Sequence, residues 1–295
     1  MDVLTAPEEM QSRALTWKRA GTLTGLVPTM GFLHEGHLSL VRIARERSDN
    51  LVLSLFVNPT QFGPGEDLDR YPKSVERDLD LCRREGVDVV FLPEAGGMYA
   101  DDSSVSVGET VLSRGLCGAS RPQHFTGVLT VVAKLFNLCQ PDLAVFGEKD
   151  AQQLRLIRRM VRDLNFPVDI VSGPILREED GVAMSSRNSN LSPEARAQAP
   201  LLRQALLTVQ EAFRQGERET VGLQARAREV LAGASLGEVD YLEIVDDETL
   251  EPLDHVTERP ALVALAVQFP GARLIDNVVI QIPRHSSLNY RNRAD

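Results

Sequence analysis

Two histidines separated by Glu and Gly stand at a predicted strand-to-helix junction near the N-terminus. The segment is Val27-Pro-Thr-Met-Gly-Phe-Leu-His-Glu-Gly-His-Leu-Ser-Leu40, with an apolar run over 23–27 before it and an apolar-periodic helix after it. Unpaired N–H groups and the positive dipole end of a helix N-terminus bind anions, and glycine lets the backbone approach a phosphate closely. His34 and His37 add donors on the same side. The pattern predicts a nucleoside triphosphate site without a Walker-type loop, whose G-x-x-x-x-G-K-[ST] pattern the sequence lacks. H-x-G-H by itself is a weak pattern, and histidines near helix starts are often plain surface residues, so the motif alone leaves that alternative open.

A second cluster of polar side chains follows the next apolar run, in Phe56-Val-Asn-Pro-Thr-Gln-Phe-Gly63. Asn58 and Gln61 carry amides, which donate and accept hydrogen bonds and suit a hydroxyl or carboxylate of a small polar ligand. Asn-Pro and Gly are also common in turns for geometric reasons alone. From these residues by themselves, a turn is the favoured interpretation.

The segment Phe146-Gly-Glu-Lys-Asp-Ala-Gln-Gln-Leu154 also joins a predicted strand to a predicted helix. Lys149 at the helix start suits a phosphate contact, and Asp150 suits an N-cap, a ribose hydroxyl or Mg²⁺. Gln153, one turn further along, points into the same space. The alternative, a capping aspartate beside a solvated lysine, stays open.

Two hydroxyls and a guanidinium follow one another in Gly181-Val-Ala-Met-Ser-Ser-Arg-Asn188. Such a run makes a mobile cluster of donors for phosphate oxygens. The charged, glycine-containing segment before it is equally typical of an ordinary interdomain linker.

Charge and composition exclude several classes of protein. The 295 residues have a formal net charge of -10 and a sequence pI of about 5.1, whereas generic nucleic-acid binding requires a basic face. The row Arg155, Arg158, Arg159 and Arg162 on one helix is therefore interpreted as a solvated or interface surface. No apolar run approaches the ~20 residues needed to span a bilayer, and the acidic N-terminus lacks a signal-peptide core. We expect no nucleic-acid or membrane partner and a cytoplasmic location.

The three cysteines, Cys82, Cys117 and Cys139, are widely spaced and form no C-x-x-C pair. Their number and spacing indicate neither a zinc site nor a disulfide framework. Cys82 and Cys139 lie in or beside helical patterns, which predicts core or boundary positions for both.

The first half of the chain alternates predicted strands with predicted helices. The strands are short apolar runs, as is typical of strands buried on both faces of a parallel sheet. They are predicted over 22–27, 51–57, 87–92, 143–146 and 168–171, with helices over 37–47, 75–84, 126–138 and 151–163. This alternation predicts an α/β fold, a Rossmann-like doubly wound parallel sheet that binds ligands beyond the carboxyl ends of its strands. The polar clusters follow Val27, Val57 and Phe146, at that edge.

The pattern changes near residue 174, after the turn Ser172-Gly-Pro174. Ser192 and Pro193 form an N-cap with proline in the first helical position, which predicts a long helix over 193–214, followed by another over 220–231. Three β-rich runs follow over 239–245, 262–269 and 273–282. We predict a Rossmann-like domain over 1–174, a smaller C-terminal α+β domain over 175–283 and a polar tail over 284–295.

Five segments, in this order, resemble the pantoate–β-alanine ligase (pantothenate synthetase) family. They are Pro28-Thr-Met-Gly-Phe-Leu-His-Glu-Gly-His37, Phe56-Val-Asn-Pro-Thr-Gln-Phe62, Arg121-Pro-Gln-His-Phe-Thr-Gly127, Gly147-Glu-Lys-Asp150 and Met184-Ser-Ser-Arg-Asn188. The match extends from about residue 20 to residue 190 and weakens over the C-terminal domain. The family is one of the nucleotidyltransferases with the H-x-G-H signature.

The resemblance implies an ATP-dependent condensation of pantoate with β-alanine, through a pantoyl adenylate, to give pantothenate, AMP and pyrophosphate. It also implies Mg²⁺, a homodimer and a lid over 184–188. The implied catalytic residues are His34, His37 (a candidate acid for the leaving group), Lys149, Ser185, Ser186 and Arg187. The implied ATP contacts are Met30, Gly31, Phe32, Leu33, His34, Glu35, Gly36, His37, Gly147, Glu148, Lys149, Asp150, Leu176, Met184, Ser185, Ser186 and Arg187. The implied pantoate contacts are Met30, Asn58, Gln61 and Gln153, and those for β-alanine are Gln61 and Tyr71; no metal ligand is assigned.

Other functions agree with the same nucleotide site. A different nucleotidyltransferase would move a nucleotide onto a phosphorylated acceptor and would need no amine, although the second domain and the paired glutamines argue against it. A nucleotide sensor would bind ATP and release no pyrophosphate. An aminoacyl-tRNA synthetase fragment is disfavoured by the acidic charge and the lack of a tRNA-binding module. The role of His124, in binding or in packing, is left open.

Overall fold

The computed structural model describes residues 1–282, which form two β-sheets. The first sheet contains β1 (Asp2–Leu4), β2 (Thr24–Thr29), β3 (Asn50–Leu55), β4 (Val89–Phe91), β5 (Leu143–Gly147) and β6 (Asp169–Gly173), and the second contains β7 (Glu238–Asp246), β8 (Ala261–Phe269) and β9 (Ala272–Ile280). The helices are α1 (Pro7–Ala20), α2 (Glu35–Arg45), α3 (Val75–Arg84), α4 (Ala95–Met98), α5 (Cys117–Ser120), α6 (His124–Cys139), α7 (Ala151–Asp163), α8 (Pro193–Gln198), α9 (Pro200–Arg214) and α10 (Thr220–Leu231). None of the helices in this part of the chain has the length and apolar character of a membrane span. The tail predicted over 284–295 lies outside the described residues.

The six strands of the first sheet are parallel and lie in the order β1-β4-β3-β2-β5-β6. The chain passes from β2 outward to β3 and β4, and then returns to add β5 and β6 on the other side of β2. The direction of winding therefore reverses between β2 and β5, and open parallel sheets bind ligands at such a switch point. Helices α1, α6 and α7 pack on one face and α2 and α3 on the other, which confirms the doubly wound fold predicted from sequence.

Most of the predicted elements are present, and α3, α7 and α10 have the predicted bounds. The strand β1 and the helix α1 are missing from the prediction. The three residues of β1 are too few to show a periodicity, and the face of α1 that packs on the sheet is only weakly apolar. The single helix predicted over 193–214 is wrong, since Pro200 has no N–H to donate and the chain forms α8 and α9 instead. Likewise α2 begins at Glu35, because His34 rather than a later residue is its N-cap.

Strand β8 lies in the centre of the second sheet and is buried on both faces. On one face, Val263, Leu265 and Val267 pack with α9 and α10. On the other face, Leu262 and Ala264 belong to the core around α6. Because successive side chains of a strand point to opposite faces, one strand contributes to two hydrophobic cores, and the second sheet links the parallel sheet to the C-terminal helices.

The arginine-rich face of α7 contains one interface residue. The side chain of Arg155 is 12% exposed and forms an ion pair with Asp247, in the loop after β7. Arg158 and Arg162 are exposed. The face is thus partly an interface and partly a solvated surface, in line with the interpretation from sequence, and Cys82 and Cys139 are buried as predicted.

Candidate active site

A cavity of about 770 Å³ lies beyond the carboxyl ends of β2, β3 and β5, at the switch point of the parallel sheet. Its size is in the range of small-molecule and cofactor sites. Each of the five segments singled out from sequence contributes to its walls, through Met30, His34, Gly36, His37, Asn58, Gln61, Arg121, His124, Gly147, Lys149, Asp150, Met184, Ser185, Ser186 and Arg187. Residues separated by more than 100 positions in the sequence are therefore gathered at one site, where the second sheet covers the edge of the first.

His34 and His37 lie side by side at the start of α2, with ring centroids 4.0 Å apart. The Nδ1 atom of His34 accepts a hydrogen bond from the backbone N of Gly36 at 3.1 Å, and Nδ1 of His37 accepts one from the backbone N of His34 at 3.3 Å. A neutral imidazole that accepts at Nδ1 carries its proton on Nε2. Two Nε2–H groups are therefore available as donors to a ligand.

Both histidines are neutral near pH 7. Burial lowers the pKa of His34 to about 4, and the positive charges of Lys149 and Arg77 act in the same direction. Burial also lowers the pKa of His37 to about 3, assisted by His34 and Lys149. In the absence of phosphate charges the two imidazoles are neutral hydrogen-bond donors. Phosphate charges placed beside them would raise both pKa values, in the direction that an acid role for His37 requires.

The sequence motifs do not include Asp78 of α3, which holds the turn between β2 and α2. Its carboxylate accepts hydrogen bonds from the backbone N of Phe32 at 2.7 Å and of Leu33 at 2.8 Å. The turn has positive φ angles at Gly31 (85°) and Phe32 (51°), and such a φ is unfavourable for a residue with a side chain. The bonds to Asp78 stabilise this conformation. The sequence does carry a signal, since a charged residue occupies the buried helix face one turn before Cys82.

Gln61 is held from three sides at the cavity wall. Its Oε1 accepts from Nδ2 of Asn58 at 3.1 Å, and its Nε2 lies 3.1 Å from Sδ of Met30. Its backbone oxygen lies 2.9 Å from Nδ1 of His124, whose pKa is lowered by burial to about 4. Because the neutral ring donates from Nδ1 to that carbonyl, His124 orients the Gln61 backbone, a role that the sequence leaves open.

Asn58 is used within the turn itself. It is 1% exposed, its Oδ1 accepts from Oη of Tyr99 at 2.9 Å and from Oγ1 of Thr60 at 3.0 Å, and its Nδ2 also donates to the oxygen of Gly127 at 3.1 Å. The turn interpretation therefore describes Asn58, and Gln61 is the less buried of the two amides at the cavity wall.

The turn from β5 into α7 brings Lys149 and Asp150 to the cavity. The positive charge of Lys149 acts on both histidines of the H-x-G-H segment, so the ammonium group and the two imidazoles share one region of the wall. Asp150 is the N-cap of α7, yet its side chain makes no capping hydrogen bond. The capping alternative is therefore wrong, and the carboxylate is available to a ribose hydroxyl or a cation.

The loop 184–188 forms another wall and is bonded to the H-x-G-H turn. The Oγ of Ser186 donates to the backbone oxygen of Phe32 at 3.1 Å. The guanidinium of Arg187 pairs with Asp67 through contacts of 2.7 Å and 3.2 Å and lies 5.4 Å from the ring centroid of Tyr71. The group predicted to contact phosphates is thus paired with a carboxylate, and a triphosphate must compete with Asp67 for it.

The remaining predicted contact residues fall into two groups. Gln153, Leu176, Tyr71 and the residues of the 184–187 segment line the cavity. By contrast, Leu33 is fully buried, Glu35 forms an ion pair with Arg42, and Glu148 is exposed. Five of the predicted ATP contacts do not line the cavity, namely Gly31, Phe32, Leu33, Glu35 and Glu148. Contact between these five residues and ATP therefore stays a prediction.

Comparison with known proteins identifies the family. The family model described as Pantoate-beta-alanine ligase matches residues 2–279. The chain is 50% identical over 280 residues to the pantothenate synthetase of Thermosipho melanesiensis, covering 95% of this chain and 99% of the relative. It is 48% identical over 282 residues to that of Enterococcus faecalis, covering 96% and 100%. The chain belongs to the pantoate–β-alanine ligase family.

Solved structures of the family have the same fold. The pantothenate synthetase of Thermus thermophilus superposes with a TM-score of 0.88 at 47% identity, over 94% of this chain and 99% of that one. The ligase of Francisella tularensis, complexed with β,γ-ATP and β-alanine, superposes with a TM-score of 0.79 at 29% identity, over 95% and 97%. The similarity to these ligases includes the second sheet, beyond residue 190, where the resemblance of the motifs weakens.

A side chain at residue 127 is expected to weaken pantoate binding. A Cβ built on Gly127 would lie 2.3 Å from the backbone oxygen of Thr60 and 2.6 Å from the backbone N of Gln61, so the turn that carries Gln61 must move. We expect Gly127→Ala to raise the Kd for pantoate at least ~10-fold, as measured by calorimetric titration. Gly96→Ala is the control, because nothing lies within 4 Å of its added Cβ. An unchanged pantoate affinity in Gly127→Ala would contradict the role of the turn.

Proposed function

We propose that this chain condenses pantoate with β-alanine to form pantothenate, with cleavage of ATP to AMP and pyrophosphate. The observation that carries the proposal is the meeting of two kinds of group in one cavity. His34, His37 and Lys149 offer donors and positive charge to a triphosphate, and Gln61 and Gln153 offer amides to a small hydroxy acid. An ATP site joined to a small polar pocket is what the activation of a carboxylic acid requires.

The first step is adenylation of the carboxylate. A carboxylate oxygen of pantoate attacks the α-phosphorus of ATP, a P–O bond forms, and the bond to pyrophosphate breaks. Negative charge increases on the phosphate oxygens, and catalysis is then mainly positioning and charge stabilisation. The Nε2–H groups of His34 and His37 and the ammonium of Lys149 supply this charge stabilisation, and Ser185, Ser186 and Arg187 add donors from the loop 184–188.

The second step is amide formation. The neutral amine of β-alanine attacks the carbonyl carbon of pantoyl adenylate, the C–N bond forms, the C–O bond to AMP breaks, and the amine releases a proton. Gln61 and Gln153 hold the pantoyl group, with Met30 beside them, and Gln61 and Tyr71 contact β-alanine. The adenylate must be kept from water, and we assign that task to the loop 184–188 acting as a lid.

We propose that Mg²⁺ enters with ATP and is not held by a site of the protein alone. Within residues 1–282, no group of three or more His, Cys, Asp or Glu side chains is arranged to hold a metal ion. Mg²⁺ commonly binds through one or two carboxylates together with substrate phosphates. The carboxylate of Asp150, which makes no capping hydrogen bond to α7, fits this role. The ion would supply positive charge to the phosphate oxygens.

We further propose that residues 1–174 and 175–283 are the two domains and that the protein acts in the cytoplasm. The six-stranded sheet ends at Gly173, and the chain then forms the C-terminal helices and the second sheet. Cys82, Cys117 and Cys139 are free and buried, which supports a reducing compartment.

We propose a homodimer formed through the exposed segment before α5. Val105 is 85% exposed and Val111 is 55% exposed, and two exposed apolar side chains in one segment suit a protein interface. Val105→Arg is expected to convert dimer to monomer in sedimentation velocity experiments. Val221→Arg is the control, since Val221 is 76% exposed on α10. Dimers that persist in Val105→Arg at micromolar concentration would contradict this interface.

The test of the proposed function is release of pyrophosphate from ATP and Mg²⁺ with pantoate, measured with and without β-alanine. A single-turnover burst with pantoate alone, sustained with release of AMP once β-alanine is added, is the expected result. Sustained release without an amine would instead indicate a nucleotidyltransferase acting on another acceptor. ATP binding without any release would indicate a nucleotide sensor.

A further inference from the structure

Two consecutive polar residues, Asp276 and Asn277, lie buried in the middle of β9. Asp276 is 3% exposed and Asn277 is 6% exposed. Because successive side chains of a strand point to opposite faces, the two extend to opposite sides of the second sheet. Ile275, beside them, packs toward the core around α6, and Leu274 packs toward the C-terminal helices. A buried polar pair at this position requires partners on both sides.

Asn277 bonds the turn that carries Lys149. Its Nδ2 donates to the backbone oxygen of Glu148 at 3.0 Å and to that of Lys149 at 3.0 Å. Both amide hydrogens are therefore used on two successive carbonyls of the turn between β5 and α7. The orientation of these two peptide units fixes where the chain enters α7, and with it the side chains of Lys149 and Asp150.

Asp276 bonds the hairpin that leads to the loop 184–188. Its carboxylate forms two contacts with the guanidinium of Arg177, at 2.7 Å and 3.0 Å. Arg177 also donates to the backbone oxygen of Gly181 at 3.0 Å and pairs with Ala183 in an isolated antiparallel bridge. The backbone N of Asn277 donates to the Asp276 carboxylate at 2.8 Å, so the two residues form one connected unit.

We propose that Asp276 and Asn277 are positioning residues that set the two phosphate-facing walls of the cavity relative to each other. Asn277 fixes the Lys149 turn, and Asp276, through Arg177, fixes the hairpin before Ser185, Ser186 and Arg187. Both residues border the cavity, and the role assigned to them is to hold its two walls rather than to act on the reacting atoms. The proposal rests on the proposed function, because it assigns these two walls to ATP. A strand of the second sheet thereby becomes part of the nucleotide site without contributing a phosphate ligand.

The main test is Asn277→Asp, which keeps the shape of the side chain and places one carboxylate oxygen, in place of Nδ2, against two carbonyl oxygens. We expect kcat/KM for ATP in the adenylation burst to fall at least ~10-fold, because small displacements of positioning groups have large effects on rate. The KM for pantoate should stay within about twofold, since the Gln61 wall is held by His124 and α6 and not by β9. The selective loss for ATP is a readout that a general loss of folded protein would not give.

Asp276→Asn is the second variant, because it keeps the size and removes the charge opposite Arg177. It should give the same selective loss for ATP. Asn50→Asp is the matched control: Nδ2 of Asn50 donates to Oγ1 of Thr22 at 2.7 Å near the amino end of β3, away from the cavity. All variants are compared at temperatures where circular dichroism shows each to be folded.

The outcomes separate the positioning role from the function on which it rests. If wild type gives no pantoate-dependent burst, the proposed function fails whatever the variants do. If wild type gives the burst and Asn277→Asp keeps the wild-type kcat/KM for ATP, the positioning role is overturned. An equal loss for ATP and pantoate in both variants would also overturn it, because that result indicates a general structural defect.

Discussion

Single-turnover adenylation should slow by at least ~10²-fold when Lys149 is replaced by alanine. The ammonium group of Lys149 shares the cavity wall with His34 and His37, and its charge acts on both imidazoles. Charge develops on the phosphate oxygens as pyrophosphate leaves, and loss of a preorganised donor at such a site typically reduces the rate by this amount. Rapid-quench measurement of pyrophosphate from enzyme, ATP and pantoate is the appropriate assay.

Lys73→Ala provides the control for the loss of a lysine, because Lys73 is exposed before α3 and does not line the cavity. We expect its burst to match that of wild type. Lys149→Ala should still bind pantoate normally, since the amides of Gln61 and Gln153 are unchanged in this variant. A wild-type burst in Lys149→Ala would remove this residue from the chemistry.

His37→Ala should also reduce the adenylation rate by at least ~10²-fold. The substitution removes an Nε2–H donor and the acceptor for the backbone N of His34, so it affects both the ligand and the geometry of the turn. His37→Gln separates the effect on the ligand from the effect on the turn, because the glutamine side-chain oxygen can still accept a hydrogen bond from the backbone N–H of His34. His255→Ala is the control, since the His255 side chain is 57% exposed. Adenylation at the wild-type rate in both His37 variants would exclude the proposed role.

The burial of His37 has a separate effect on stability. Its pKa is about 3 in the folded chain against an ordinary value of 6.5, so the unfolded chain binds more protons between these two pH values. The free energy of unfolding must therefore decrease as the pH falls below 6.5. His37→Gln should remove up to about 1.4 kcal/mol per pH unit of that decrease, as measured by urea denaturation at pH 5 and pH 7. An identical pH dependence in variant and wild type would show that the ring is not buried in solution.

The sequence was sufficient for the alternation of strands and helices and for the residues that end up on the cavity walls. Short apolar runs and helical periodicity identify β2 through β6, and ligand binding at the carboxyl ends of parallel strands places the motifs that follow β2, β3 and β5 together. The single helix predicted over 193–214 is the exception. Its amphipathic period continues through Pro200, and only the missing N–H of that proline interrupts the helix.

The residues that position the cavity walls could not be predicted from the sequence motifs. Asp78 and Asn277 bond backbone groups of residues that are 45 and 128 positions away, and no local pattern encodes such a pairing. Conversely, Glu35 and Glu148 belong to the motifs but do not line the cavity. A motif identifies a backbone segment near a ligand, whereas the direction of each side chain depends on the packing around it.

The position of β8 between two hydrophobic cores bears on how this protein unfolds. Loss of the C-terminal helices would expose one face of β8, and loss of α6 would expose the other, so neither core keeps its full apolar contact when the other opens. Partial unfolding in units that coincide with the two sheets is therefore disfavoured. The amide protons of β8 should exchange with solvent only through global unfolding, which makes this strand the last element to lose protection.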